Sequence, residues 1–209
     1  MSAMSDILER VPVVPVLTIG PLDDAVALAR TLVNAGLPVI EVTLRTEAAP
    51  AAIKSIRQAV PDCLVGAGSV LDGDRLALAL AAGAAFAVSP GTTPALLQAV
   101  EDCGLPFLPG AATVSEVLAL RDRGYRVPKL YPALAPGRTR YLAAIQGPVP
   151  DVRFCPTGGI DAANAAGFLA LANVAAVGGS WVAPPDAVEA REWDKIARLA
   201  RHAASLSRG

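Results

Sequence analysis

Ala82-Gly83-Ala84-Ala85-Phe86-Ala87-Val88-Ser89-Pro90-Gly91 carries the pattern that decides the fold: the end of an Ala-rich helix, a glycine, a short apolar run, a turn. The same order recurs at Ala35-Gly36 before Pro38 to Val42, at Cys103-Gly104 before Pro106 to Leu108, and at Arg123-Gly124 before Tyr125 to Leu130. Glycine after the last helical turn takes the left-handed conformation that other residues resist. The runs that follow are strand-sized and apolar on both faces, as buried parallel strands are. Val11 to Leu17, Cys63 to Gly66, Val152 to Phe154 and Val174 to Val177 complete a set of eight expected strands. Helical periodicity fills the intervals, most clearly at Leu22 to Asn34, Ala48 to Ala59, Asp72 to Ala82, Pro94 to Cys103, Thr113 to Arg123 and Ala162 to Leu171.

Alternating units of about 26 residues without a linker predict an α/β fold, a single-domain (β/α)8 TIM barrel over residues 1–209. The competing architecture is a doubly wound open sheet. Against it, no GxGxxG follows the first strand, where Gly20 stands alone before Pro21. Ser5 to Arg10 reads as a short helix closing the barrel floor. Pro185 to Ser207 reads as one long amphipathic helix, with Arg191, Lys195, Arg198 and Arg201 on a solvated face.

Composition narrows the class of function. Of 209 residues, 53% are hydrophobic, 18% are charged, and the net charge is −1. That is neither the low hydrophobicity of a disordered chain nor the basic surplus of a general nucleic-acid binder. Leu76 to Val100 and Ala162 to Pro185 lack charge for long enough to suggest membrane spans. Ser89-Pro90-Gly91 and Gly178-Gly179-Ser180 divide them into helix-plus-strand pieces instead. The first ten residues already hold Asp6, Glu9 and Arg10 and do not resemble a signal peptide. Cys63, Cys103 and Cys155 have no CxxC spacing, so the reading is buried thiols in a reducing cytoplasm. The one histidine, His202, has no second to share a metal, and no metal site is expected.

In a barrel the chemistry sits at the C-terminal ends of the strands. Of the three lysines, Lys54 and Lys195 fall in helices; Lys129 falls late in an apolar strand, in Val127-Pro128-Lys129-Leu130-Tyr131-Pro132. Desolvation there would favour the free amine that attacks a carbonyl. A lysine snorkelling to water from a strand end is the other reading. Glu41, in Ile40-Glu41-Val42-Thr43-Leu44-Arg45-Thr46, is a carboxylate in an apolar strand and needs a partner. A proton shuttle beside a lysine and a structural pair with Arg45 are both open, and Arg45 also suits a substrate carboxylate. Thr157-Gly158-Gly159-Ile160 and Gly178-Gly179-Ser180-Trp181 follow the last two expected strands, where such barrels receive phosphate; each pair alone could be a tight turn. Ser69 and Pro90, in Gly66-Ala67-Gly68-Ser69 and Ser89-Pro90-Gly91-Thr92, suit either a pocket wall or turn and cap chemistry.

Together with Pro109-Gly110, Pro132-Ala133 and Phe154-Cys155-Pro156, these motifs resemble, in order from Val11 to Trp181, the 2-keto-3-deoxy-6-phosphogluconate (KDPG) aldolases. That family also includes 4-hydroxy-2-oxoglutarate (KHG) aldolases. The resemblance implies a homotrimeric class I aldolase on a (β/α)8 barrel, acting on a phosphorylated 2-keto-3-deoxy sugar acid without a cofactor. By resemblance Lys129 forms the imine and Glu41 is the general acid/base. Arg45 and Ser69 hold the pyruvyl carboxylate, Pro90 and Tyr131 line its pocket, and Thr157, Gly158, Gly159, Gly179 and Ser180 receive the distal phosphate. The chain departs from the family at Leu134, usually Glu, and at Ala135-Pro136-Gly137-Arg138, which bears on the aldehyde half. The alternatives are the same chemistry on KHG or the galactonate isomer, a phosphate-binding barrel isomerase or decarboxylase, and a non-catalytic sugar-phosphate sensor.

Overall fold

The computed structural model describes residues 3–20, 22–135, 137 and 139–209. Of the departing loop, Pro136 and Arg138 lie outside the described residues, as does Pro21. The strands are β1 (Val13–Leu17), β2 (Val39–Thr43), β3 (Leu64–Gly68), β4 (Ala87–Val88), β5 (Phe107–Leu108), β6 (Gly110–Ala111), β7 (Lys129–Leu130), β8 (Cys155–Pro156) and β9 (Val177–Gly179). Every pairing between them is parallel, in the orders β5-β4-β3-β2-β1-β9 and β6-β7-β8. Only Pro109 separates β5 from β6, and single bridges Phe154–Val174 and Thr157–Gly178 link the β8 and β9 segments. All five residues of β2 are buried, Glu41 and Thr43 included, so both faces of this strand are covered.

The helices α1 (Ala3–Leu8), α2 (Ala25–Asn34), α3 (Ala49–Ala59), α4 (Gly73–Ala82), α5 (Pro94–Cys103), α6 (Val114–Asp122), α7 (Thr139–Gln146), α8 (Ala165–Leu169), α9 (Pro185–Glu189) and α10 (Trp193–Ala204) alternate with the strands. Local chemistry starts and stops them. Asp72 and Thr93 cap α4 and α5, and Thr113 with Glu116 forms a capping box on α6. Gly83 and Gly104 close α4 and α5 in the left-handed conformation, at φ +74° and +69°.

Three expectations need correction. The final helix is two helices: Arg191, at φ +52°, ends α9 as a glycine usually would. The Glu192 N–H closes on the Ala187 carbonyl and the Arg191 N–H on that of Val188, the bond pattern of a Schellman stop. Arg191 therefore leaves the expected basic face and pairs with Asp24 at 2.8 Å. The later strands also lie further along the chain than their hydrophobic runs suggest. The strands are Cys155–Pro156 and Val177–Gly179, whereas the expected segments Val152 to Phe154 and Val174 to Val177 pair only through the bridge Phe154–Val174 and at Val177. Glycines extend β3 and β9 beyond the expected runs, at Gly68 and Gly178, and neighbours fill the space a β-carbon would need: Glu41 at Gly68 and Thr157 at Gly178. Finally, Cys63 and Cys155 are buried but Cys103, the last residue of α5, is exposed.

Candidate active site

β2 and β7 bring the two expected reactive groups together. Lys129 Nζ donates to both Glu41 oxygens, at 3.2 and 3.3 Å, with the two side chains 5% and 4% exposed. Burying either charge alone would be strongly unfavourable, so each requires the other. Glu41 lies against Gly68, where a β-carbon would stand 2.2 Å from Oε1; no other residue type leaves the carboxylate this room. The Tyr131 ring lies beneath the ammonium, its centroid 5.6 Å from Nζ. Cys155 is Lys129's register partner on β8. Burial pushes its thiol up to about 12 despite the pull of Lys129, so it stays protonated. Of the two candidate nucleophiles here, Lys129 lines the cavity that opens over these strand ends and the protonated Cys155 thiol does not.

Arg45 is not Glu41's partner. It follows β2, is exposed, has no carboxylate partner among the described residues, and donates from Nε to Ser69 Oγ at 3.1 Å. Thr43 stays structural, donating to the Leu17 carbonyl at 3.0 Å. Pro90 packs its carbonyl group on Gly110, where a β-carbon would stand 2.1 Å from Pro90 C.

A cavity of about 490 Å³ opens over this end of the strands. Lys129, Arg45 and Tyr131 line it together with Thr157, Gly158, Gly159, Gly179 and Ser180. Glu41, Ser69 and Pro90 are not among its lining residues; Glu41 bonds to the lining Lys129 and Ser69 to the lining Arg45. Gly158 and Gly159 are both left-handed, at φ +94° and +82°, with Tyr131 packed on the first and Leu134 on the second. Consecutive backbone N–H groups in such a turn form a concavity suited to an anion. Gly179 has the Trp181 ring where its β-carbon would be.

One wall of the cavity was not foreseen. Asp24, Leu28, Val188 and Glu189 close it from α2, the turn before it and α9. Nothing local in the sequence marks them, because Asp24 is recruited by Arg191 and the stop after α9 is an arginine in the left-handed conformation and not a glycine. Among the described residues, no group of three His, Cys, Asp or Glu side chains is gathered to hold a metal.

Glu41 and Arg45, Ser69, Lys129, Thr157 to Gly159, and Gly179 and Ser180 all fall within the sequence motifs on which the resemblance rested. The family model for KDPG and KHG aldolases matches residues 4–199. The chain belongs to this family. A KHG/KDPG aldolase of Escherichia coli strain K12 is 48% identical over 202 residues, covering 97% of this chain and 95% of that aldolase. The KDPG aldolase of Legionella pneumophila, solved with pyruvate captured at low pH as a covalent carbinolamine, superposes with a TM-score of 0.95. It shares 42% identity and covers 98% of this chain and 99% of that one. The Zymomonas mobilis ZM4 KDPG aldolase, solved with 3-phosphoglycerate, gives 0.92 at 39% identity, with 99% and 97% covered.

Proposed function

We propose that this chain is a class I aldolase that cleaves KDPG reversibly to pyruvate and D-glyceraldehyde 3-phosphate through an imine on Lys129. The observation that carries the reading is the buried contact of Lys129 Nζ with Glu41 beside the cavity. Once Glu41 holds the lysine's proton, the free amine adds to the 2-keto carbon to give a carbinolamine. Glu41 returns that proton to the departing hydroxyl, water leaves, and the imine forms. The imine withdraws electrons from carbon 3. Glu41 then takes the 4-hydroxyl proton, directly or through a water, as the bond between carbons 3 and 4 breaks. Its electrons enter the imine as an enamine, and the aldehyde departs. Protonation at carbon 3 and hydrolysis release pyruvate and restore the lysine.

Arg45 and Ser69 hold the carboxylate, with Pro90 and Tyr131 shaping that end. Thr157, Gly158, Gly159, Gly179 and Ser180 receive the phosphate, which favours KDPG over an unphosphorylated ketoacid. The carbinolamine of the Legionella relative supports the covalent step, and the phosphoglycerate in the Zymomonas relative supports the phosphate end. The lysine–glutamate pair argues against a phosphate-barrel isomerase and against a mere sensor, neither of which needs it. No external cofactor enters the scheme.

The same reading takes the parallel strands as one closed (β/α)8 barrel with α1 across its floor. Its support is the continuous stretch Phe107 to Ala111, the bridges between the β8 and β9 segments, and the burial of Met4 and Leu8. A single domain fits the contiguous core that runs from Met4 to Ala203. A homotrimer follows from the resemblance, and the exposed Leu71, Leu78 and Leu80 supply apolar surface for it. The unpaired thiols fit the cytoplasm, and no helix among the described residues is long and apolar enough to cross a membrane.

Incubation with pyruvate and borohydride, followed by peptide mapping, tests the chemistry. One adduct on Lys129, absent from Lys129→Ala, is the expected result. No adduct from the folded protein removes the aldolase reading.

A further inference from the structure

Ser69 sits immediately after β3 with φ +58°, a conformation that a residue bearing a β-carbon resists. Two arginines grip it. Arg45 Nε donates to its hydroxyl at 3.1 Å, and Arg75 Nη1 donates to its carbonyl at 3.0 Å. Arg75 lies in the first turn of α4, where its own N–H is held by the capping side chain of Asp72 at 2.9 Å. A cation in that turn faces the positive end of the helix dipole, an unfavourable place for it. Arg75 also makes no ion pair with a carboxylate among the described residues. The side-chain hydrogen bond it does make runs back across the turn to Ser69.

We propose that Arg75 is a positioning residue for the carboxylate end of the site. By fixing Ser69 in its left-handed conformation it keeps the hydroxyl turned to Arg45 Nε. That bond orients the Arg45 guanidinium so that its outer N–H groups take the carboxylate of a 2-oxo acid as a fork. The assignment rests on the aldolase reading and adds to it a residue that neither lines the cavity nor touches substrate.

The test measures borohydride trapping against pyruvate concentration. Arg75→Met should raise the half-saturating concentration about ten-fold, the effect of one lost charged hydrogen bond, and lower the maximal trapping rate far less. Arg75→Lys, which keeps a donor, should fall between Arg75→Met and the native protein. Ser69→Ala should raise half-saturation as well, and adding Arg75→Met to it should change little further, because Arg75 acts through Ser69. In Ser69→Gly, where the left-handed backbone needs no support, Arg75→Met should again have little effect. Circular dichroism and the unfolding midpoint establish that each variant is folded, with Arg75→Gln as the substitute should Arg75→Met not fold. Native half-saturation in the folded Arg75 variants, or additive losses in the double variants, would overturn the proposal while leaving trapping on Lys129 intact. Absence of any adduct in the native protein would instead remove the aldolase reading and this assignment with it.

Discussion

Lys129 Nζ lies 3.2 Å from one oxygen of Glu41 and 3.3 Å from the other, although 88 positions separate the two residues in the chain. Both are buried, so their stability contributions are tied. Lys129→Met should leave the Glu41 carboxylate buried without a counter-charge and cost roughly 3–5 kcal/mol. Glu41→Leu in that background removes the orphaned charge and should recover most of the loss. Urea unfolding of the two variants checks this: a double variant no more stable than Lys129→Met would mean that the pair is better solvated than its burial indicates.

Gly68 tests geometry without altering either charge. A β-carbon there would stand 2.2 Å from Glu41 Oε1 and 2.6 Å from its Cγ, so Gly68→Ala must displace the carboxylate from Lys129. Positioned proton transfer contributes on the order of 10²-fold or more, and a shift of an ångström forfeits much of it. Imine formation in Gly68→Ala should slow by about 10²-fold, as followed by the rate of pyruvate trapping at saturation. Trapping at the native rate would show that Glu41 does not assist the step.

Much of this arrangement was legible from the chain alone because it is local. Glycines after helices at Gly36, Gly83, Gly104 and Gly124 all have the positive φ expected of them, and the reactive lysine and glutamate are conspicuous as charges in apolar strands. What escaped depends on tertiary contact. Glu41's open choice between Lys129 and Arg45 is settled by which strands face each other across the interior. The wall of Asp24 and Glu189 involves an arginine that, against its own preference, takes the left-handed conformation after α9 and pairs with Asp24. The strand ends at Gly68 and Gly179 lie beyond the apolar runs because a glycine looks like a turn until the neighbour that fills its space, Glu41 or Trp181, is known.

If Gly179 serves the phosphate of KDPG, as proposed, its substitution should separate KDPG cleavage from pyruvate trapping. Gly179→Ala would place a β-carbon within 1.8 Å of the Trp181 ring, which is too bulky to move without disturbing the Ser180 turn between them. The expected result is a KM for KDPG raised about ten-fold or more, with pyruvate trapping on Lys129 close to native. Steady-state cleavage assays beside borohydride trapping make the comparison. Equal losses in both would mean that Gly179 supports the whole site and not its phosphate end.

The thiols give a labelling pattern and a pH dependence. Burial pushes Cys63 and Cys155 from 9.0 up to about 12, whereas Cys103 is exposed. Iodoacetamide at pH 8 should modify Cys103 in the folded protein, and all three cysteines only after unfolding. Between pH 9.0 and about 12 the unfolded chain has released protons that the folded chain still holds on these two thiols. Stability from this source is therefore complete below pH 9.0 and falls as pH rises through that window, by about 1.4 kcal/mol per unit and per thiol. Cys63→Ala should lower the slope of unfolding free energy against pH by about one proton between pH 10 and 11. Urea titrations at fixed pH values measure that slope; an unchanged slope would mean that Cys63 titrates near 9.0 in the folded protein.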